Sequence, residues 1–311
     1  MAQVRVIAAV FACLVVALVL PNLALRRMPS LWTWLQTADD GSDLAVLGAL
    51  RSTDPADVDI VVLGSSLAVV DVSAVMIKRE TGLSVLNAGV LAMPPIASSM
   101  YLDDALSLHP STVIVVTGHR AFGDSELPSA SPFDWRIAAS AFPVSAWMRS
   151  DVLSAALADV SDAYRLRDVP RLAWDGSLAE WKGRASNLHR AEDDRFAVLA
   201  ARPEWSAAST PTVVDGAASR AVGALIDRCT AEGVSVLLVA APVHSELLGT
   251  PDVWFHPPHV AEMRRVAEKH GASVLVLDQP GLWRDSDFRD PLHLAPSGQR
   301  RFTQAVAAEL R

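Results

Sequence analysis

Cysteine is nearly absent from this chain, with two residues in 311, Cys13 and Cys229. No framework of disulfides and no Cys-x-x-Cys metal knuckle can be built from them. An extracytoplasmic location stays open, because a chain of this length buries core enough without bridges. Runs of Lys and Arg are missing too. With 27 basic against 35 acidic residues the formal net charge is −8. A nucleic-acid binder needs a basic stripe to displace counterions from phosphates, so that class is excluded. Charged residues make up only 20% of the chain and hydrophobic ones 51%. That composition excludes a disordered chain, which could not bury enough apolar surface to offset ordering entropy, and a collagen-like or coiled-coil one. The acidic balance points to a neutral or small substrate, or to no charged partner.

One apolar run is long. Val6 to Leu20 carries no charge, and its continuation through Pro21 and Asn22 to Leu25 reaches the length a helix needs to cross a bilayer. Arg26 and Arg27 follow, then Trp32 and Trp34, which suit the headgroup region. The alternative is a cleaved signal peptide, for which Asn22-Leu23-Ala24 is a poor cleavage site. The positive-inside pattern does not favour export, since Arg5 and the amino terminus oppose Arg26 and Arg27. Residues 1–27 are thus expected as an anchor or signal peptide, 28–58 as a membrane-proximal linker or helix, and 59–311 as the main domain.

Past residue 58 the chain alternates between short apolar runs and amphipathic stretches. Strands are predicted at 59–63, 84–86, 113–116, 234–240 and 273–277. Helices are predicted at 72–81, with Asp71 as N-cap, and at 96–108, 217–232, 258–270 and 296–310. Strands apolar on both faces belong inside a sheet covered by helices. The expected fold is flavodoxin-like α/β, a three-layer α/β/α arrangement with a five-stranded parallel sheet, plus an N-terminal transmembrane helix. A mostly helical insertion at about 123–215 carries Trp135, Trp147, Trp174, Trp181 and Trp205. It reads either as helices packed on the sheet or as a lid over the ligand crevice.

Two segments can carry chemistry. Leu63-Gly64-Ser65-Ser66 ends the first predicted strand, where open α/β sheets place ligands; it also reads as a plain helix cap. Asp290-Pro291-Leu292-His293 precedes the last helix. A nucleophilic serine needs a base near its hydroxyl and a carboxylate that fixes the base's tautomer, and an Asp-x-x-His loop can supply both. Taken alone, that pair could equally be solvated.

Together, Gly64-Ser65-Ser66 and Asp290-x-x-His293 on a five-strand α/β pattern resemble the SGNH (GDSL-like) hydrolase superfamily. The likeness spans roughly 59–310, with the insertion unmatched. It implies Ser66 as nucleophile, His293 as general base and Asp290 as its orienting carboxylate, with Ser65 replacing the family's acidic residue. It implies an oxyanion hole built from the backbone of Ser66 and of Ala92, which stands where the family has glycine five residues after Asn87. Arg120, after Thr117-Gly118-His119, falls nearest the family's second donor, an Asn, and is expected either to donate to the oxyanion or to bind substrate. His244, beyond the fourth strand, is a further substrate-binding candidate. No metal or cofactor is expected: His256 and His259 flank two prolines and have no third ligand.

The departures resemble the membrane-anchored SGNH proteins of cell-envelope polymer acylation. That likeness implies an acyl, usually acetyl, group passed through Ser66 to a glycan hydroxyl or to water. It also implies an exported domain and a membrane-bound O-acyltransferase (MBOAT) partner. A catalytically silent anchor or binding subunit is the alternative.

Overall fold

Five runs of β-branched and aliphatic residues become five strands: β1 (Ile60–Gly64), β2 (Val85–Asn87), β3 (Thr112–Thr117), β4 (Ser235–Ala240) and β5 (Ser273–Val276). All pair in parallel, in the order β2-β1-β3-β4-β5. A computed structural model describes residues 16, 20–36, 43–90, 97–119, 121–123, 136–137, 161–166, 212–244, 257–279 and 281–311. The strand order is the flavodoxin-like one expected from the sequence. The chain leaves β1 for the edge strand β2, then crosses back to β3 on the other side of β1. Connections diverge there, opening a crevice beyond the carboxyl ends of β1 and β3. Gly64 pairs with Val116 and Thr117 with Ala240, so the strand ends share one edge.

Side chains alternate along each strand and build two cores. Val61, Leu63, Val113 and Val115 face a layer made by α1 (Pro29–Gln36), α2 (Asp43–Ser52), α5 (Leu102–Leu106), α7 (Ala217–Ala231) and α8 (Pro257–His270). Ile60, Val62, Ile114 and Val116 face α3 (Ser66–Asp71), α4 (Ala74–Thr81) and α9 (Pro296–Glu309), with Phe302 and Val306 fully buried among them. Each such side chain contributes about 1.5–3 kcal/mol on burial, against about 0–1 kcal/mol for an exposed ion pair, so these two layers hold the sheet. A short helix, α6 (Asp162–Arg165), starts at Asp162 with Ser161 as its N-cap.

Three local expectations are corrected. The helix predicted from Val72 is two helices. α3 ends at Asp71, and α4 starts at Ala74 with Ser73 as its cap, whose Oγ accepts from the Met76 N–H at 3.2 Å. Asp71 is therefore no cap. The helix predicted at 96–108 is a 3-10 turn, Ala97–Tyr101, followed by α5. Trp32, read as a headgroup-level aromatic, is 1% exposed in the core. Its Nε1 donates to the Leu25 carbonyl at 3.1 Å, and the Arg51 guanidinium lies 4.4 Å from its ring.

Among the described residues no helix is long and apolar enough to cross a membrane. Most of the apolar run at 6–20 lies outside those residues, as does most of the insertion at 123–215. Residues 20–26 are helical, and Val16, Leu20, Leu23 and Met28 are exposed. Arg26 reaches Asp162 at 3.2 Å, and Arg51 reaches the same carboxylate at 2.7 Å.

Candidate active site

The site begins with Gly64. Its φ of +150° is one that residues with a side chain rarely adopt, and an added Cβ would stand 2.8 Å from the Val116 carbonyl. The turn sends the chain straight from β1 into α3. Ser65 is the helix N-cap, its Oγ 3.4 Å from the Leu67 N–H, and Ser66 is the first helical residue. Its backbone N–H belongs to the first turn, which has no intrahelical acceptor. Gly89 lets the segment after β2 come close: an added Cβ there would lie 2.9 Å from the Val69 nitrogen. The Asn87 amide secures the approach, donating to the Ala68 and Val72 carbonyls at 2.7 and 3.2 Å.

Across the same sheet edge the chain folds a tight turn before α9. Phe288 and Leu294 bridge antiparallel, and the Arg289 N–H donates to the His293 carbonyl at 3.0 Å. Inside the turn the Asp290 carboxylate accepts from the backbone N–H groups of Leu292 and His293, both at 2.9 Å. An Asp side chain bonding backbone two residues on is a common turn device. Here it also aims the carboxylate at the His293 ring, whose Nδ1 lies 2.9 Å from both carboxylate oxygens.

His293 Nε2 lies 2.8 Å from Ser66 Oγ, across 227 residues of sequence. With Nδ1–H given to Asp290, Nε2 is the acceptor and the serine hydroxyl the donor. His293 is 1% exposed and Asp290 6%, while Ser66 is only half-buried, so the hydroxyl faces the crevice end of the relay. Burial alone would raise the Asp290 carboxyl. The hydrogen bond and charge of His293 and the two backbone N–H groups outweigh it and hold the carboxyl below its usual range. Arg289, half-buried with Nε 3.9 Å from Asp290 Oδ2, adds positive charge behind the pair. Burial lowers its own pKa, and Asp290 and Asp71 oppose that shift. A hydroxyl, a base and a fixed anion in this order can activate a serine for attack on an acyl carbon.

The other predicted residues fall in different places. Ala92 and Arg120 lie outside the described residues. The two residues before Arg120, Gly118 and His119, leave β3 at the edge where Ser66 stands, and His119 is 2% exposed. His244 is tied to the turn that carries Asp290 and His293. Its N–H donates to the Pro291 carbonyl at 3.0 Å, its ring meets Phe288 edge-on at 5.3 Å, and Nε2 is 3.6 Å from the exposed Asp285. His259 is fully buried on α8, its Nε2 3.3 Å from Thr117 Oγ1. Among the described residues there is no cluster of three or more His, Cys, Asp or Glu fit for a metal ion.

Sequence reading missed one buried group beside the site. Asp71, at the end of α3, is fully buried, and its Oδ1 accepts from the Leu294 N–H at 3.0 Å. Only its position five residues after Ser66, on a short apolar helix, hinted that it faces inward.

No family model matches the chain, and no curated protein is similar enough in sequence to match it. Among solved structures the chain is similar to a protein from Desulfitobacterium hafniense DCB-2 assigned to the G-D-S-L family of lipolytic proteins. The likeness has a TM-score of 0.40 at 8% identity, over 80% of this chain and 97% of the other.

Proposed function

We propose that this chain is a serine-dependent enzyme of SGNH type that transfers or hydrolyses an acyl group. The observation that carries the reading is the relay Ser66–His293–Asp290 at the carboxyl edge of β1. Ser66 Oγ attacks the acyl carbonyl carbon while its proton passes to His293 Nε2. The oxyanion meets the Ser66 N–H, and the Ala92 N–H and Arg120 are the further donors proposed from sequence. Collapse breaks the bond to the leaving oxygen, which takes the proton from His293. An incoming hydroxyl, from water or a sugar, then gives its proton to His293 and attacks acyl-Ser66; the Ser66 Oγ–acyl bond breaks, and Oγ takes that proton back from His293. Asp290 stays ionised throughout and stabilises the imidazolium.

The substrate proposed is a cell-envelope polysaccharide or teichoic-acid-like polymer, which accepts the acyl group in transfer or gives it up in hydrolysis. The domain is held at the outer face of the membrane by the first 25 or so residues, beside an MBOAT partner. This part rests on the likeness of the Gly-Ser-Ser and Asp-x-x-His-Leu blocks and the apolar N-terminal run to the anchored acylation proteins. Protease added to intact spheroplasts should digest the domain; full protection would reverse the orientation.

The alternative is a silent subunit, favoured by Ala92 and Arg120 standing where the family has glycine and asparagine. A serine-directed fluorophosphonate separates the two. The enzyme reading expects a single adduct on Ser66, absent from Ser66→Ala and strongly slowed in His293→Ala. A folded wild-type chain that takes no label would overturn it.

A further inference from the structure

Ser66 and Asp71 are the two ends of one helix, α3. The first meets the His293 ring; the second meets the backbone immediately after it, accepting from the Leu294 N–H at 3.0 Å. The helix therefore grips the catalytic turn at two points. Asp71 is 0% exposed, and its Oδ2 has no hydrogen-bond partner among the described residues. A bare carboxylate oxygen in a closed interior is costly, and a purely structural acceptor could be an amide or hydroxyl instead. We propose that Asp71 is a positioning residue of the same site: it clamps the backbone past His293 and, when ionised, places a second negative charge behind the imidazolium. The proposal rests on the reading of Ser66 as nucleophile.

The surroundings fit an electrostatic role. The charged groups acting on Asp71 are His293, Asp290 and Arg289, all from the catalytic turn. The strands packed against α3, β1 and β3, carry no titratable side chain. On α9, Arg301 is engaged by Asp287 at 2.7 Å and Arg300 is exposed. The same helix turns neutral groups toward the end of α3: Thr303 Oγ1 donates to the Asp71 carbonyl at 3.2 Å and the Gln299 amide to that of Val70 at 2.5 Å. Burial pushes the Asp71 carboxyl up to about 7, although His293, the Leu294 N–H and Arg289 pull it down. Both protonation states are thus populated at neutral pH, and the charge behind His293 grows as pH rises.

The experiment follows the rate of fluorophosphonate inactivation from pH 5 to 9 in the full chain and in Asp71→Asn. Asparagine keeps the acceptor for Leu294 and removes the charge. With the charge gone the imidazolium is less stable, so the acid limb of the profile should move down by about one pH unit. The plateau rate should fall about 5–10-fold, the loss of one favourable charge in the transition state. A limb that stays in place overturns the role of Asp71 while leaving Ser66 as nucleophile. A folded wild type that is never inactivated overturns the nucleophile reading, and this proposal with it. Should Asp71→Asn fail to fold, carboxyl carbon NMR of aspartate-labelled wild type decides. One carboxyl titrating near neutrality, and perturbed in His293→Gln, supports the proposal; no aspartate titrating between about pH 6 and 8 overturns it.

Discussion

Asp290 holds His293 at two points, its ring Nδ1 and its own backbone N–H, both at 2.9 Å from one carboxylate oxygen. Ring tautomer and turn geometry are therefore set by the same atom. Asp290→Asn should keep the turn, because an amide oxygen still accepts the backbone bonds. The amide can also present N–H to Nδ1 and stabilise the wrong tautomer. Ester hydrolysis at neutral pH should fall about 10³–10⁴-fold, with KM little changed. Equal activity of wild type and variant would remove Asp290 from the relay.

Asp71 also makes a prediction about stability. Its folded pKa, about 7, lies above its ordinary value of 3.8. Between those two values the native state holds more protons than the unfolded one. Stability from this group is therefore fully present below about pH 4 and is lost as pH rises to about 7, by an amount on the order of 4 kcal/mol. Asp71→Asn removes the dependence. Urea unfolding should show the variant gaining on wild type as pH rises from about 5 to 8. A constant difference across that range would mean that Asp71 does not titrate there.

Arg51 is the main counter-charge of a buried carboxylate. It reaches Asp162 at 2.7 Å and Asp104 at 2.8 Å, and Asp162 is 2% exposed. Burial would lower the Arg51 pKa, but the two carboxylates raise it overall. Among the described residues, Arg51→Ala leaves Asp162 with the largely exposed Arg26 as its remaining cation, so it should cost about 3 kcal/mol or more. Adding Asp162→Asn should recover part of the loss. A double-mutant cycle with no coupling would show that the pair is dispensable.

Arg120 is proposed as an oxyanion donor. Arg120→Ala should then lower kcat about 10²-fold or more with KM nearly unchanged, since only transition-state binding is lost. A raised KM confined to polymer substrates would assign it to substrate binding instead. No change in either would leave the hole to backbone N–H groups alone.

The sheet was legible because parallel strands buried on both faces are written as unbroken apolar runs. Ile60-Val61-Val62-Leu63 and Val113-Ile114-Val115-Val116 are short, rich in β-branched residues and apolar on both faces, as an interior strand of such a sheet must be. The relay was legible for a different reason: Asp290 and His293 sit three apart in one turn, and Ser66 follows the glycine that ends β1. Helix α3 was not. Six residues, two of them Val, carry little helical preference, and packing against β1, β3 and α9 decides their conformation. Missing α3 hid Asp71, because an aspartate just before an amphipathic stretch reads as a cap. Trp32 misled in a similar way, since an aromatic after an apolar run fits a bilayer surface and a domain core equally well.

The docking of the N-terminal stretch has a mechanical consequence. Leu25 packs against the main core, Trp32 holds its carbonyl, and Arg26 is tied to Asp162. There is no slack between residue 25 and the body of the domain. If the preceding residues lie in a bilayer, the domain is mounted on a stiff stalk and not on a leash. The orientation of the Ser66 crevice relative to the bilayer is then fixed by side-chain packing. Its working radius is the size of the domain itself. Under that condition, a substrate of the proposed polymer class would be met within that radius of the bilayer.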